Sequence, residues 1–267
     1  MDRLRFTILG CGSSGGVPRL GGNWGDCDPK NPKNYRKRCS LLVQRVNRNG
    51  TTQVLIDTSP DMRNQLLDAG VGSLDGVIYT HSHADHVHGL DDLRMIFFNM
   101  RNRINVWADQ STQNDLIERF KYAFVQPAES PYPPILNLNT LDGVTVVEGE
   151  GGSITFIPFD VKHGKMTALG FRIGPLVYLP DVSEMSKEAW DEVAKAKCWV
   201  LDALRRNPHP SHSHLENSLK WIKKSGIEKA VLTNMHVDLD YETLMNETPK
   251  NVEPAFDGMV LDFKFSR

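Results

Sequence analysis

The sequence predicts an α/β protein in which two mixed sheets pack face to face with helices on the outside. Three observations predict it. Short aliphatic and β-branched runs come first in succession and then alternate with amphipathic helical patterns. This order occurs twice, once in each half of the chain. No linker or low-complexity stretch separates the halves, so residues 1–267 read as a single domain. A domain of that length buries roughly 70–75% of its unfolded surface and needs no covalent staples.

The elements follow in order. Residues 3–9 alternate charged and apolar side chains and read as a first strand, closed by the glycine-rich turn GCGSSGGVP. Residues 19–38 form a long polar loop, and a loop of that length in a compact domain often carries function. The runs SLLVQRV and TQVLID flank the turn signal Asn47-Arg48-Asn49-Gly50 and predict a β-hairpin. Met62, Leu66 and Leu67 form an apolar stripe, with Pro60 ahead and Gly70 behind, and predict a helix over 60–69. DGVIYT is a short buried strand. Helices are predicted over 90–98 and 111–124. The prolines of residues 126–134 mark an irregular excursion, a lid or a dimer contact. Further strands are predicted over 145–148, 153–159, 168–173 and 176–179. A helix over 187–196 then precedes the strand CWVLDAL, and a helix over 215–225 precedes the strand KAVLTNM.

Composition narrows the function classes. The 40% hydrophobic and 24% charged fractions suit a soluble globular protein. A net charge of −2 gives no footprint for extended nucleic acid or an anionic membrane. The short run Arg36-Lys37-Arg38 reads as a solvated loop. No apolar run reaches the ~20 residues of a membrane span, and the first residues lack a signal peptide's apolar core. Cys11, Cys27, Cys39 and Cys198 form no CxxC pair and read as reduced thiols, which places the protein in the cytoplasm.

The densest chemistry lies in YTHSHADHVHGL, where His81, His83, Asp85, His86 and His88 fall within residues 79–90. The cluster begins where a predicted strand stops, and strand ends are where α/β proteins build sites. In a turning loop, His81 and His83 can converge on one cation while Asp85 and His86 converge on a second. Two-metal hydrolytic sites hold their ions ~3.5–4 Å apart. Imidazole suits Zn, Fe or Ni, and a carboxylate admits Mn. A solvated His-rich loop is the bland alternative, and this spacing argues against it. His163 in DVKHG, Asp181 in YLPDV and His236 in LTNMH each lie at a strand end. Singly such residues are more often structural; together they are what a two-metal site shared by two sheets requires.

These motifs resemble the metallo-β-lactamase superfamily, an αββα four-layer sandwich, over essentially the whole chain. LGCGSSGGVP, LIDTSPD, HADHVHGLDDLR, PSHSHL and FDGM are similar to its phosphodiesterase branch, which holds tRNase Z and the phosphoribosyl cyclic phosphate phosphodiesterases of phosphonate breakdown. The resemblance implies that His81, His83 and His163 hold one divalent ion, Zn or Mn. Asp85, His86 and a C-terminal His hold the other, with Asp181 bridging. It assigns catalysis to His212, acting on the leaving group, and to Asp85. One departure stands out: relatives read Thr-His at the end of the last strand, where this chain reads Thr233-Asn234. His236 would point to the same side if the chain stays extended, so it is taken as the ligand, with Asn234 as its neighbour. Phosphonate-pathway relatives carry a cysteine-rich zinc site in the early loop; only Cys27 and Cys39 fall there, and buried thiols are preferred.

Around the metals, Asp57 ends the strand VLID and reads as a carboxylate supporting a ligand imidazole or as a turn-forming Asp before Ser59-Pro60. His88, Asp91 and Asp92 read as supporting groups or as a helix start. The glycine turn could present N–H groups to a phosphate or be a tight turn alone. His214 falls near a helix N-cap and reads as a surface residue.

The leading function is a dinuclear phosphodiesterase acting on a small nucleotide-like or ribosyl cyclic phosphate. A tRNA 3′-processing nuclease is the first alternative, but it needs a basic, glycine-rich arm that the sequence does not show. A lactonase or thioesterase of the same fold is the second, and HPSHSHL argues against it. A non-catalytic metal- or nucleotide-binding module conflicts with the intact ligand residues. Relatives point to a homodimer.

Overall fold

The computed structural model describes residues 2–126 and 128–265; Pro127, inside the expected excursion, lies outside the described residues. The chain runs β1 (Arg3–Gly10), β2 (Ser40–Asn47), β3 (Gly50–Ile56), α1 (Met62–Asp68), β4 (Gly76–Ile78), α2 (Ala84–Val87), α3 (Leu93–Met100), β5 (Ile104–Ala108), α4 (Gln110–Phe124) and β6 (Leu136–Thr140). It continues through β7 (Thr145–Val147), β8 (Ile154–His163), β9 (Met166–Ile173), β10 (Leu176–Leu179), α5 (Lys187–Val193), β11 (Cys198–Asp202) and α6 (Leu215–Ser225). β12 (Lys229–Thr233), α7 (Tyr241–Glu247), β13 (Val252–Pro254) and β14 (Met259–Lys264) follow. The strands make two seven-stranded sheets, ordered β14-β1-β2-β3-β4-β5-β6 and β13-β12-β11-β10-β9-β8-β7.

Two compact units emerge. One comprises Met1–Leu9, Ser40–Thr155 and Val260–Arg267; the other comprises Gly10–Cys39 and Phe156–Met259. In the first unit, β2 and β3 form the expected antiparallel hairpin, closed by the Asn47↔Gly50 pair. β3, β4, β5 and β6 then pair in parallel. Its core gathers Leu42, Leu55, Val77 and Val106 from the strands with Met62, Leu90, Leu93 and Leu116 from the helical segments. Asp109 caps α4 by accepting from Thr112 N at 2.7 Å. That cap satisfies a donor the helix cannot satisfy internally.

In the second unit, β8–β9 and β9–β10 are antiparallel, while β10, β11, β12 and β13 run parallel. Every residue of β11 is buried, as a parallel strand covered on both faces requires. Trp190 of α5 packs edge-on against Trp199 of β11 and Trp221 of α6. These large rings fix the helices on the sheet.

The main differences from expectation are short elements. β5, β6, α7, β13 and β14 have no counterpart in the sequence reading. The helix expected over 90–98 begins as a 3₁₀ turn at Leu90–Asp92 before α3. The strand expected over 153–159 runs on to His163. Among the described residues, no helix is long and apolar enough to cross a membrane.

Candidate metal centre

In the first unit, β3 and β4 stop side by side. Asp57 follows β3 with a left-handed φ of 63°, and its N–H still donates to Ile78 O at 2.9 Å. The reversal turns a wholly buried carboxylate toward the residues after β4. Its Oδ1 accepts from Thr80 N and its Oδ2 from Thr80 Oγ1, both at 2.8 Å. His86 Nδ1 lies 2.8 Å from the same Oδ2, and Thr80 Oγ1 lies 2.9 Å from His81 Nδ1. Asp57 therefore supports imidazole, one of the two readings of the sequence. With Nδ1 turned to the carboxylate, Nε2 is the atom of His86 that would meet a cation. That Nε2 sits 3.6 Å from Asp85 Oδ2.

His83 occupies the N-cap position of the one-turn helix α2, which carries Asp85 and His86, and its side chain makes no capping bond. The His81 ring lies 4.7 Å from that of His83 and 4.3 Å from that of His86, centroid to centroid. His81 and His86 are buried and His83 is exposed. His81, His83, Asp85 and His86 of the HxHxDH motif thus lie close together. Burial pushes the Asp57 carboxyl up, and His86 with the Thr80 hydrogen bonds pulls it back.

In the second unit the parallel strands bring their ends together. Register pairs Leu179 with Leu201 and Asp202 with Thr233. Asp181, Asp202 and Asn234 therefore emerge at one end of three adjacent strands. His163 closes β8, followed by Gly164 at φ 62°. A Cβ on Gly164 would meet Ser211 Cβ at 2.9 Å, so glycine is needed both for the turn and for the close approach. This approach sets His163 Nδ1 2.7 Å from Ser211 O. A carbonyl only accepts, so Nδ1 carries the proton and Nε2 offers its lone pair. His163 Nε2 lies 3.9 Å from Asp181 Oδ1, and His212 Nδ1 lies 3.4 Å from that oxygen. Donor atoms of His163, Asp181 and His212 fall within 4.8 Å of one another. Imidazoles with a fixed tautomer beside a buried carboxylate are the donor chemistry a divalent transition-metal ion selects, so the residues fit such an ion.

Asp202 was not foreseen. It is fully buried, accepts from Val182 N at 3.1 Å, and holds His212 Nδ1 at 2.9 Å. Burial pushes its carboxyl up to about 6; nearby Asp181 pushes the same way and His212 pulls it down. Its sequence signal was the pattern that flagged Asp57: CWVLD, like VLID, ends a buried strand in aspartate. Thr80 was also missed.

The last strand corrects one expectation. β12 ends at Thr233, and Asn234 takes φ 60°. The extended backbone on which the reading of His236 rested is not formed. Asn234 Nδ2 instead reaches Pro180 O at 3.0 Å, Asp202 Oδ1 at 3.2 Å and Asp181 Oδ1 at 3.3 Å. His236 pairs with Asp238, Nδ1 to Oδ1 3.4 Å.

Other expected residues lie elsewhere. His88 is exposed, its ring edge-on to Phe120. Asp91 serves a surface network with Arg94 and Tyr122, and Asp92 borders a groove with Met62 and Met95. His214 is the N-cap residue of α6, and its side chain makes no capping bond. In the glycine turn the N–H groups of Gly12, Ser13, Gly16 and Val17 donate to protein carbonyls. Cys27 lies beside Arg36, and Cys39 Sγ donates to Gly12 O at 3.5 Å.

Residues 52–235 match the model of the beta-lactamase superfamily domain. A solved diphosphatase from the PhnP family is 34% identical, with a TM-score of 0.85 and 98% of each chain covered. An octanoyltransferase of Porphyromonas gingivalis (strain ATCC BAA-308 / W83) is 32% identical over 96% of this chain and 51% of its own length. A ribonuclease Z of Bradyrhizobium sp. (strain ORS 278) is 28% identical over 52% of this chain and 45% of its own. The chain thus spans about half the length of the curated relatives it matches.

Proposed function

Since the chain belongs to the beta-lactamase superfamily, in which it is a metal-dependent hydrolase, we propose that it cleaves a small phosphoric diester or anhydride of nucleotide or ribosyl type. The observation that carries this reading is the Asp202–His212 pair, a buried carboxylate holding an imidazole by Nδ1 beside Asp181. The names of the PhnP-family diphosphatase and the ribonuclease Z support phosphorus as the centre attacked. The octanoyltransferase's name describes a protein about twice the matched length, and its chemistry is not carried to this chain.

We assign His81, His83, Asp85 and His86 of the first unit and His163 and Asp181 of the second as the residues that would hold divalent metal, with Zn or Mn as the ion. When bound, such ions supply Lewis acidity, which makes hydroxide available near neutral pH and offsets charge on phosphoryl oxygens. The chain's own groups do the rest. Asp57 and Ser211 O fix the tautomers of His86 and His163. Asp202 orients His212 and stabilises its imidazolium, so Nε2 holds a proton for the departing oxygen. A homodimer belongs to the same proposal.

The test is His212→Ala. The variant should keep its metal while kcat falls ~10²–10⁴-fold, the scale of general acid help. The fall should be large for a ribose cyclic phosphate, whose alkoxide needs protonation, and small for a p-nitrophenyl ester, whose leaving group does not. Equal falls would make His212 a phosphate-positioning group. Because His212 also lies within ligand distance of Asp181, a second reading makes it a metal ligand; loss of an ion in the variant would establish that instead.

A further inference from the structure

We propose that the cavity bounded by His83, His88, Arg119 and Phe120 is a subsite for a nucleoside phosphate, the base stacking on Phe120 and a phosphate oxygen meeting Arg119. The proposal rests on the hydrolase reading and names the substrate portion that lies beside the reacting phosphorus.

The cavity measures about 690 Å³ and lies wholly within the first unit, with Ser82 and Ala84 completing its wall. That size is within the roughly 300–1,000 Å³ of small-ligand sites. Ser82 and Ala84 flank His83, so a ligand here touches the loop assigned to metal. The aromatic wall has a structural cause. Phe120 sits inside α4 at φ −127° and ψ 31°, far from helical values near −63° and −42°. No proline or glycine explains the break, since the helix reads QSTQNDLIERFKYAF. At the break the Phe120 ring stands 5.8 Å from His88, edge-on at 80°. Two rings at that angle offer a face and an edge to a flat aromatic ligand.

Arg119 supplies the polar end. Its Nη1 donates to Ser82 O at 2.5 Å, and its Nη2 lies 3.7 Å from Asp115 Oδ2. Asp115 also accepts from Ser82 Oγ at 2.5 Å. The guanidinium is thus tied to the metal-binding loop from two sides. Its fork has five donors, so donors remain to reach a phosphate oxygen. Asp115 balances the charge, so affinity leans on stacking, which suits a single phosphate carrying a base over a bare polyphosphate. Base–aromatic stacking is worth about 5- to 150-fold in affinity.

Two chromogenic esters test this. Thymidine 5′-p-nitrophenyl phosphate and methyl p-nitrophenyl phosphate lose the same leaving group and differ in the nucleoside. In the metal-loaded wild type, kcat/KM should favour the thymidine ester by about 5- to 100-fold, mostly through KM. That ratio should fall to near one in Phe120→Ala, drop in Arg119→Gln, and persist in Phe120→Tyr. A wild-type ratio near one, or equal losses on both esters in Phe120→Ala, overturns the subsite. Calorimetric titration of the holoprotein with thymidine 5′-monophosphate separates the two readings. If neither ester is cleaved, the diester reading falls; nucleotide binding that Phe120→Ala abolishes then upholds the subsite, and absent binding overturns it.

Discussion

Replacing Asp57 by Asn changes one buried atom and should cost metal without costing the fold. Asp57 accepts from Thr80 N, Thr80 Oγ1 and His86 Nδ1, each at 2.8 Å. In the variant the amide oxygen keeps the Thr80 N–H. The amide nitrogen takes the place of Oδ2 and faces the other two. The Thr80 hydroxyl can rotate to accept. His86 must then accept at Nδ1, which moves its proton to Nε2, the atom that should meet the cation. Loss of a supporting carboxylate typically lowers metal affinity 10–100-fold. The wrong tautomer puts this variant at the upper end, about 100-fold or about 2.7 kcal/mol. Stability should move by no more than about 1 kcal/mol, because the bond count is kept and Asn tolerates the left-handed φ of 63°. Asp57→Ala is the contrast: three buried donors lose their acceptor at about 1–3 kcal/mol each, a large part of a typical total of 5–15 kcal/mol. Zinc titration against a competing chelator, with thermal unfolding of the apoprotein alongside, measures both. Wild-type affinity in Asp57→Asn would refute the tautomer argument.

Two further outcomes are expected. His236→Ala should keep the wild-type metal content while Asn234→Ala lowers it, because Asn234 and not His236 hydrogen-bonds Asp181; elemental analysis showing the reverse restores His236 as the ligand. Asp257 is half-buried, accepts from Cys11 N and Lys37 N, and desolvation pushes its carboxyl up to about 7. A folded value above the ordinary one makes stability highest at low pH and falling between about 4 and about 7, by at most roughly 4 kcal/mol. Asp257→Asn should remove that part of the slope, and unfolding curves with the wild-type slope would refute it.

The HxHxDH cluster was legible because its donors are contiguous and sit past a strand whose apolar run is unmistakable. His163 and Asp181 were legible for the same reason: VKHG and YLPD each follow a buried run. Asp202 was not, since its partner His212 is ten residues away and only parallel register sets it beside Asp181. The path to His236 was not legible because a single left-handed residue at Asn234 redirects the chain, and Asn is one of the few residues that allows this. β5 and β6 were missed because they are short, and β6 is more than half polar. LNLNT becomes a strand through its in-register pairing with INVWA, a tertiary effect that local pattern does not carry.

β1 lies between β2 and β14 in its sheet, held there by Arg5–Asp262 at 3.1 Å and by Phe6 against Phe263. Roughly 250 residues separate these neighbours along the chain. Closing a loop of that length costs about 5 kcal/mol of chain entropy before any contact forms. At about 5–20 residues per second of synthesis, one edge of β1 waits about 10–50 s for its partner. Throughout that interval its unpaired N–H and C=O groups are a template for another extended chain. A ribosome stalled before residue 259 would therefore release a protein whose HxHxDH loop is already made but whose first sheet is still open to pairing with a second copy.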